Sequence, residues 1–158
     1  MVTRPERPYA AVAGRVTMTT IPEIADRFGE VFGFLGARGV EFAGAPFFRY
    51  NGVAMPGPLD MEAGVPVAEP VEGDGEVFGG VLPAGRYVRV THVGHPEELG
   101  EVTGLLLEWA KDQGLVFDKE DGPENERWGS RLEFYLTDPR EEPDMGKWET
   151  VLEFRLVD

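Results

Sequence analysis

The sequence predicts an α+β domain: two pseudo-repeated strand-helix-strand-strand units forming one antiparallel sheet, with both helices on one face and a concave cleft on the other. Three observations predict it. Apolar patterns of period two and period three-to-four alternate along the chain in the same order twice. Short fragments echo one another at an offset of about seventy residues. And 158 residues suffice for one core but not for two large ones.

The elements follow in order. Residues 9–20, rich in Val, Thr and Ala, read as a strand. Thr20-Ile21-Pro22-Glu23 starts a helix, with a hydroxyl near the cap, a proline in the first turn and an acid after it. Ile24, Phe28, Val31, Phe32 and Leu35 form its apolar face, and Gly36 and Gly39 end it. The glycines of residues 29–39 either permit close helix packing or weaken the helix. Residues 46–52 are a short aromatic strand closed by an Asn51-Gly52 turn signal. From residue 59 to 67 the pattern alternates, with Leu59, Met61, Ala63, Val65 and Val67 on one side and Asp60, Glu62 and Gly64 on the other.

Residues 69–76, acidic with Gly and Pro, form a linker, and the plan restarts after it. Residues 77–82 and 86–93 are strands around a Pro83-Ala84-Gly85 turn. Pro96-Glu97-Glu98 opens a helix whose apolar face is Leu99, Val102, Leu105, Leu106 and Trp109, ending at Gly114. A polar loop over 119–127 leads to a strand at 130–137, an acidic loop begins at Asp138-Pro139, and 149–157 is the last strand. The echoes support the repeat. Thr20-Ile21-Pro22-Glu23 matches Thr91 followed by His95-Pro96-Glu97, Gly29-Glu30-Val31 matches Gly100-Glu101-Val102, and Arg38-Gly39-Val40 matches Gln113-Gly114-Leu115. The expected organisation is one domain over 1–158, with halves at about 7–70 and 76–158. Neither half has enough strands to close a core alone.

Composition removes several function classes. Fifteen basic residues against 29 acidic ones give a formal net charge of −14, and no basic stripe opposes that field, so nucleic acid is not an expected partner. The absence of cysteine excludes disulfides, thiolate metal sites and cysteine nucleophiles. Ser130 is the sole serine and lacks a Gly-x-Ser-x-Gly elbow, and no phosphate-binding Gly-Lys-Thr loop is present. His92 and His95 are too few for a zinc site, and the acidic run 141–144 lacks EF-hand spacing. The expectation is therefore no metal and no cofactor. No signal peptide or membrane-length apolar run occurs, so a cytoplasmic setting without a membrane partner is expected.

Alternation then sorts the strand residues. Leu132, Phe134 and Leu136 share one face, assigned to the helices, and Glu133 and Tyr135 oppose them. Val88 and Val90 take the helix face, while Tyr87, Arg89 and Thr91 oppose them; Phe48 and Tyr50 share a face, as do Asp60 and Glu62. If the faces turned from the helices line one cleft, it holds aromatics and carboxylates, a composition suited to flat, lipophilic, cationic molecules. For Asp60 and Glu62 the solvated outer face of an antiparallel sheet is the simpler reading. Trp109 reads as core, and Trp128 and Trp148, beside loops at strand edges, as cleft rim.

Several of these segments together resemble a known family. Leu82-Pro83-Ala84-Gly85-Arg86-Tyr87, Thr91-His92-Val93-Gly94-His95-Pro96, Leu106 to Trp109, Trp128, and Leu132-Glu133-Phe134-Tyr135-Leu136-Thr137-Asp138-Pro139 are similar, in order and spacing, to the GyrI-like small-molecule-binding domains. These are also the effector-binding domains of some AraC- and MerR-type regulators. Residues 60–67 fit the family's mid-domain strand and 149–156 its last strand. The resemblance implies two repeated units with a ligand cleft at their junction, a cation-contacting glutamate at Glu133 and a Gly-x-Tyr tyrosine at Tyr87. Some stand-alone members hydrolyse the strained cyclopropane of DNA-alkylating natural products. No helix-turn-helix segment is apparent, so a stand-alone member is expected.

The leading expectation is a xenobiotic (multidrug) binding protein, monomer or homodimer, for lipophilic, aromatic, often cationic molecules. Glu133 supplies the counter-charge, Tyr87, Tyr50, Phe48, Trp128 and Tyr135 the walls, and Glu62 a further carboxylate. The first alternative is a hydrolase of strained electrophiles using the same aromatic cage, with Glu133 and Tyr135 as its reactive groups. The second is an acidic protein-interaction module.

Overall fold

The computed structural model describes residues 1–54, 57–138 and 140–157; Pro139 of the acidic loop lies outside them. In chain order the strands are β1 (Val2–Arg4), β2 (Arg7–Val16), β3 (Phe47–Val53), β4 (Leu59–Pro66), β5 (Phe78–Leu82), β6 (Gly85–Val93), β7 (Lys119–Asp121), β8 (Glu126–Trp128), β9 (Arg131–Tyr135) and β10 (Glu149–Arg155). The helices are α1 (Ile21–Ala25), α2 (Phe28–Arg38) and α3 (Leu99–Asp112). Among the described residues no helix is long and apolar enough to cross a membrane.

All strands join one antiparallel sheet of order β1-β6-β10-β9-β3-β4-β2-β5, with the β7–β8 hairpin attached through β8 to β3. Its central six strands, β6-β10-β9 and β3-β4-β2, place the second strand of each strand-helix-strand-strand run at the junction and the first outermost.

The connections force this sheet to curl. β5 ends the strand order and β6 is next to its other end, yet only Pro83 and Ala84 separate Leu82 from Gly85. Three peptide links span at most about 11 Å. The two ends of the sheet therefore meet, and one face becomes an interior. Tyr9, Ala11, Phe47, Leu82, Tyr87, Leu132, Phe134 and Val151 pack there. Across that interior Arg4 Nη2 donates to Glu153 Oε2 at 3.0 Å and Arg7 Nη2 to Oε1 at 3.2 Å, with Arg89 Nε 3.7 Å from Oε2. One buried carboxylate thus ties β1, β2, β6 and β10 together.

The outer face carries the helices. Ile24, Val31 and Leu35 from α1 and α2, and Leu106 and Ala110 from α3, pack with Val12, Phe48, Ala63, Val88 and Leu152. Both helical segments thus lie on one face, as the pattern predicts.

Four local expectations need correction. The first helix is two helices, separated by Asp26 and Arg27; Arg27 Nη1 donates to the Ala13 carbonyl at 3.2 Å, which anchors the break to β2. Asn51-Gly52 is no turn: β3 runs through it with a register shift between Tyr50 and Gly52. A Cβ there would run into the Arg127 guanidinium and lie 2.5 Å from Asn125 Nδ2, so the glycine makes room for these two side chains. The polar loop 119–127 contains the β7–β8 hairpin. Trp109 and Leu105 lie outside the core, 45% and 60% exposed, because α3 buries only the narrower stripe of Leu99, Leu106 and Ala110. In α2, a Cβ at Gly29, Gly33 or Gly36 would meet nothing within 4 Å, so these glycines weaken the helix without serving close packing.

Space decides the sign of two glycine substitutions. A Cβ on Gly64 would lie 2.7 Å from Phe47 Cζ, whose ring is fully buried on the inner face. Gly64→Ala is expected to cost about 1–3 kcal/mol by overpacking. Gly104, within α3, faces open space, and Gly104→Ala is expected to add about 0.5–1 kcal/mol. Urea denaturation of the two variants checks the contrast. Equal effects would show that the Phe47 ring yields freely.

Candidate ligand site

The site grows from the junction of β3 and β9, where Phe48 stands opposite Glu133 and Glu133 opposite Leu152 of β10. Two residues further along each strand, on the same face, come Tyr50 and Tyr135. Tyr50 Oη donates to Glu133 Oε2 at 3.2 Å, and Tyr135 Oη donates to Glu133 Oε1. Phe48 meets the Tyr135 ring edge-on at 5.4 Å, and Phe28 of α2 lies 5.2 Å from Phe48. One carboxylate is held by two phenols among aromatic rings.

This cluster is partly exposed. α1 and α2 pack over β2 and β4 and α3 over β6, which leaves the central strands between them. Phe48 and Tyr50 are buried there, and Glu133 and Tyr135 are half-buried. Burial pushes the Glu133 carboxyl above its ordinary value of 4.5, against the pull of the two tyrosine hydrogen bonds and the Arg131 charge. Burial first, and the Glu133 charge second, holds both Tyr50 and Tyr135 well above the ordinary phenol range. Both phenols are therefore fixed as proton donors and Glu133 is their acceptor.

Of the seven expected residues, Phe48, Tyr50, Glu133 and Tyr135 form this cluster. Trp128 lies apart in the core, 5.5 Å from both Phe117 and Phe154, not at a rim. It connects to the cluster through Arg131, whose Cζ sits 4.8 Å from the Trp128 ring and 5.6 Å from the Tyr50 ring. Tyr87 and Glu62 are on the inner face. Tyr87 is fully buried and donates to the Pro83 carbonyl at 2.7 Å. Glu62 accepts from Tyr9 Oη and Asn51 Nδ2, each at 2.5 Å, and is buried, contrary to the solvated-face reading.

The face assignment of β9 is also corrected: Glu133 and Tyr135 lie on the helix-bearing face. Alternation says which residues share a face, but apolarity names the helix side only when the other side is wet. Here the curl buries both faces, so Leu132 and Phe134 serve the interior. Phe28 and Arg131 were not anticipated. Arg131 was accessible to the same logic, being two residues before Glu133 on one strand.

The raised carboxyl has a consequence for stability. A group whose folded-state value is raised keeps its proton longer in the folded than in the unfolded chain, so stability falls as pH climbs from 4.5 through that raised value. Glu133→Gln, which retains partners for both phenols, lacks this fall. At neutral pH the variant is expected to melt higher, by about 2–4 °C for each kcal/mol recovered. Melting curves of both proteins between pH 4 and pH 8 check this, and a constant offset would show that burial does not perturb Glu133.

The fold has counterparts among solved structures. The EcmrR C-terminal domain superposes with a TM-score of 0.80 at 20% identity, over 99% of this chain and 95% of that one. In the EcmrR–DNA complex the match covers 98% of this chain and 55% of that one, so the chain spans about half that protein's length. SAV2435 bound to tetraphenylphosphonium matches with a TM-score of 0.61 at 8% identity, over 99% and 92% of the two chains. A hydrolase from Listeria innocua matches with a TM-score of 0.63 at 13% identity, over 99% and 90%. At these identities the likeness is one of fold. No curated protein matches the chain by sequence. The model of the GyrI-like small molecule binding domain, however, matches residues 1–156, nearly the whole sequence, and the chain belongs to that family.

Proposed function

We propose that this protein binds lipophilic aromatic xenobiotics, many of them cationic, over Glu133 at the β3–β9 junction, between α2 and α3. The observation that carries the reading is the carboxylate itself. It is half-buried at the centre of a sheet, its oxygens are held by Tyr50 and Tyr135, and Phe48 and Phe28 stand beside it. Such a group attracts a cation at short range, where little water screens it, and the rings supply stacking and cation–π contact. The fold neighbour bound to tetraphenylphosphonium, an aromatic cation, is consistent with this reading.

Glu133→Gln is the test. Titration with tetraphenylphosphonium and with neutral triphenylphosphine oxide, followed by tryptophan fluorescence, is expected to show about tenfold weaker binding of the cation alone. Equal losses for both would remove the electrostatic role. In the wild type, cation affinity is expected to fall as pH drops, with a midpoint above 4.5, because the bound cation requires the ionised carboxyl.

A second reading, hydrolysis of strained electrophiles, has one observation in its favour. Tyr135 and Glu133 share a hydrogen bond, and the carboxyl's raised value suits proton exchange nearer neutral pH. Incubation with a cyclopropane-bearing alkylator separates the two readings. Hydrolysed product beyond one equivalent of protein, lost in Glu133→Gln, establishes the hydrolase; intact ligand recovered after denaturation establishes the binder.

A further inference from the structure

Arg131 is the anomaly of the molecule. Among the described residues every other arginine donates to, or pairs with, an oxygen, and Arg131 makes no hydrogen bond and no ion pair within 4.0 Å. It is nevertheless 6% exposed, and its Nε is both sealed and unpartnered. Arg7 and Arg49 also have a sealed Nε, but their other nitrogens are engaged, with Glu153 and with Tyr9 and the Gly129 carbonyl. The Arg131 guanidinium is in contact with rings, Phe154 at 4.7 Å, Trp128 at 4.8 Å and Tyr50 at 5.6 Å from Cζ, while the carboxylates of Glu133 and Glu126 favour its charge only from beyond ion-pair distance.

A desolvated guanidinium without an anion is costly, and protein interiors provide such groups with partners. The aromatic cage holds the charge in place without consuming its five N–H donors. Glu133 does not close on it: its oxygens accept from Tyr50 and Tyr135, and no ion pair joins it to Arg131. The Tyr50 side chain connects the two charges, with its hydroxyl on Glu133 and its ring facing Arg131.

We propose that Arg131 is the anion-recognising residue of the ligand site, so that the preferred ligands are aromatic molecules carrying a cationic centre and a carboxylate or comparable acid together. The cation lies at Glu133, and the acid takes the uncommitted N–H groups of Arg131. Their separation is on the scale of two residues along a strand, about 7 Å. This rests on the binding reading above and narrows its ligand class from cations to zwitterions. It also makes Arg131 the specificity-determining residue, while Glu133 provides attraction common to all cationic ligands.

Rhodamine B and its ethyl ester test it, since they share one xanthylium cation and differ in whether the carboxyl is free. The wild type is expected to bind rhodamine B about tenfold more tightly than the ester, the scale of one charge-assisted hydrogen bond. Arg131→Met is expected to abolish that preference while still binding the ester, Arg131→Lys to keep part of it, and Glu133→Gln to weaken both dyes alike. Equal affinity for the two dyes, or tighter binding of the ester, overturns the inference from the wild type alone, whether or not the variants fold. A preference that survives in Arg131→Met also overturns it. Binding of neither dye overturns the underlying small-molecule reading, and with it this one.

Discussion

Curvature governs this molecule. With only Pro83 and Ala84 between β5 and β6, the sheet is drawn round until its ends meet. The enclosed face is then dry, and each polar side chain on it requires a partner there. Glu153 has its arginines, and Glu62 has Tyr9 and Asn51. The outer face carries the helices on both flanks, and Glu133 and Tyr135 are half-buried at its centre, over β3 and β9. The location of the site follows from how the chain closes.

Much of this was legible in the sequence. The order of elements, the two helical segments on one face and the family membership are carried by period, turn residues and the spacing of loose motifs. Phe48, Tyr50, Glu133 and Tyr135 could be grouped because alternation is a local property of a strand. What could not be read was which group faces which way. Leu132 and Phe134 are apolar for the sake of an interior that exists only after the sheet has curled, and that curl is set by contacts between residues as distant as Arg4 and Glu153. Tyr87 and Glu62 do face away from the helices, as alternation implies, but the curl turns that face into an interior separate from Glu133. Asn51-Gly52 misled differently, because its glycine answers to the Asn125 side chain rather than to a turn.

The site is also where the protein departs from its own rules. Elsewhere most buried or half-buried carboxylates pair with guanidinium groups, Asp60 with Arg15 and Arg127, Asp118 with Arg155 and Glu153 with its three arginines, while Glu62 is held by Tyr9 and Asn51. At the centre of the outer face a carboxylate is held by phenols and a guanidinium by rings, near one another but unjoined. Such an arrangement is less stable than a closed ion pair and keeps both charges available. Departures of this kind concentrate at functional positions.

The helices flanking the β3–β9 junction differ in character. On one side α3 is a fourteen-residue helix with a buried stripe of its own. On the other, α2 carries Gly29, Gly33 and Gly36, each with empty space where a methyl group would sit. Its helical state is sustained by Val31 and Leu35 gripping the sheet, with little intrinsic propensity behind it. Local opening of that wall is accordingly cheap relative to the rest of the fold. On the proposed binding reading, the sheet floor is a rigid template for charge while α2 gives way to fit the outline of each guest, so that charge selectivity and shape tolerance reside in different parts of one small protein.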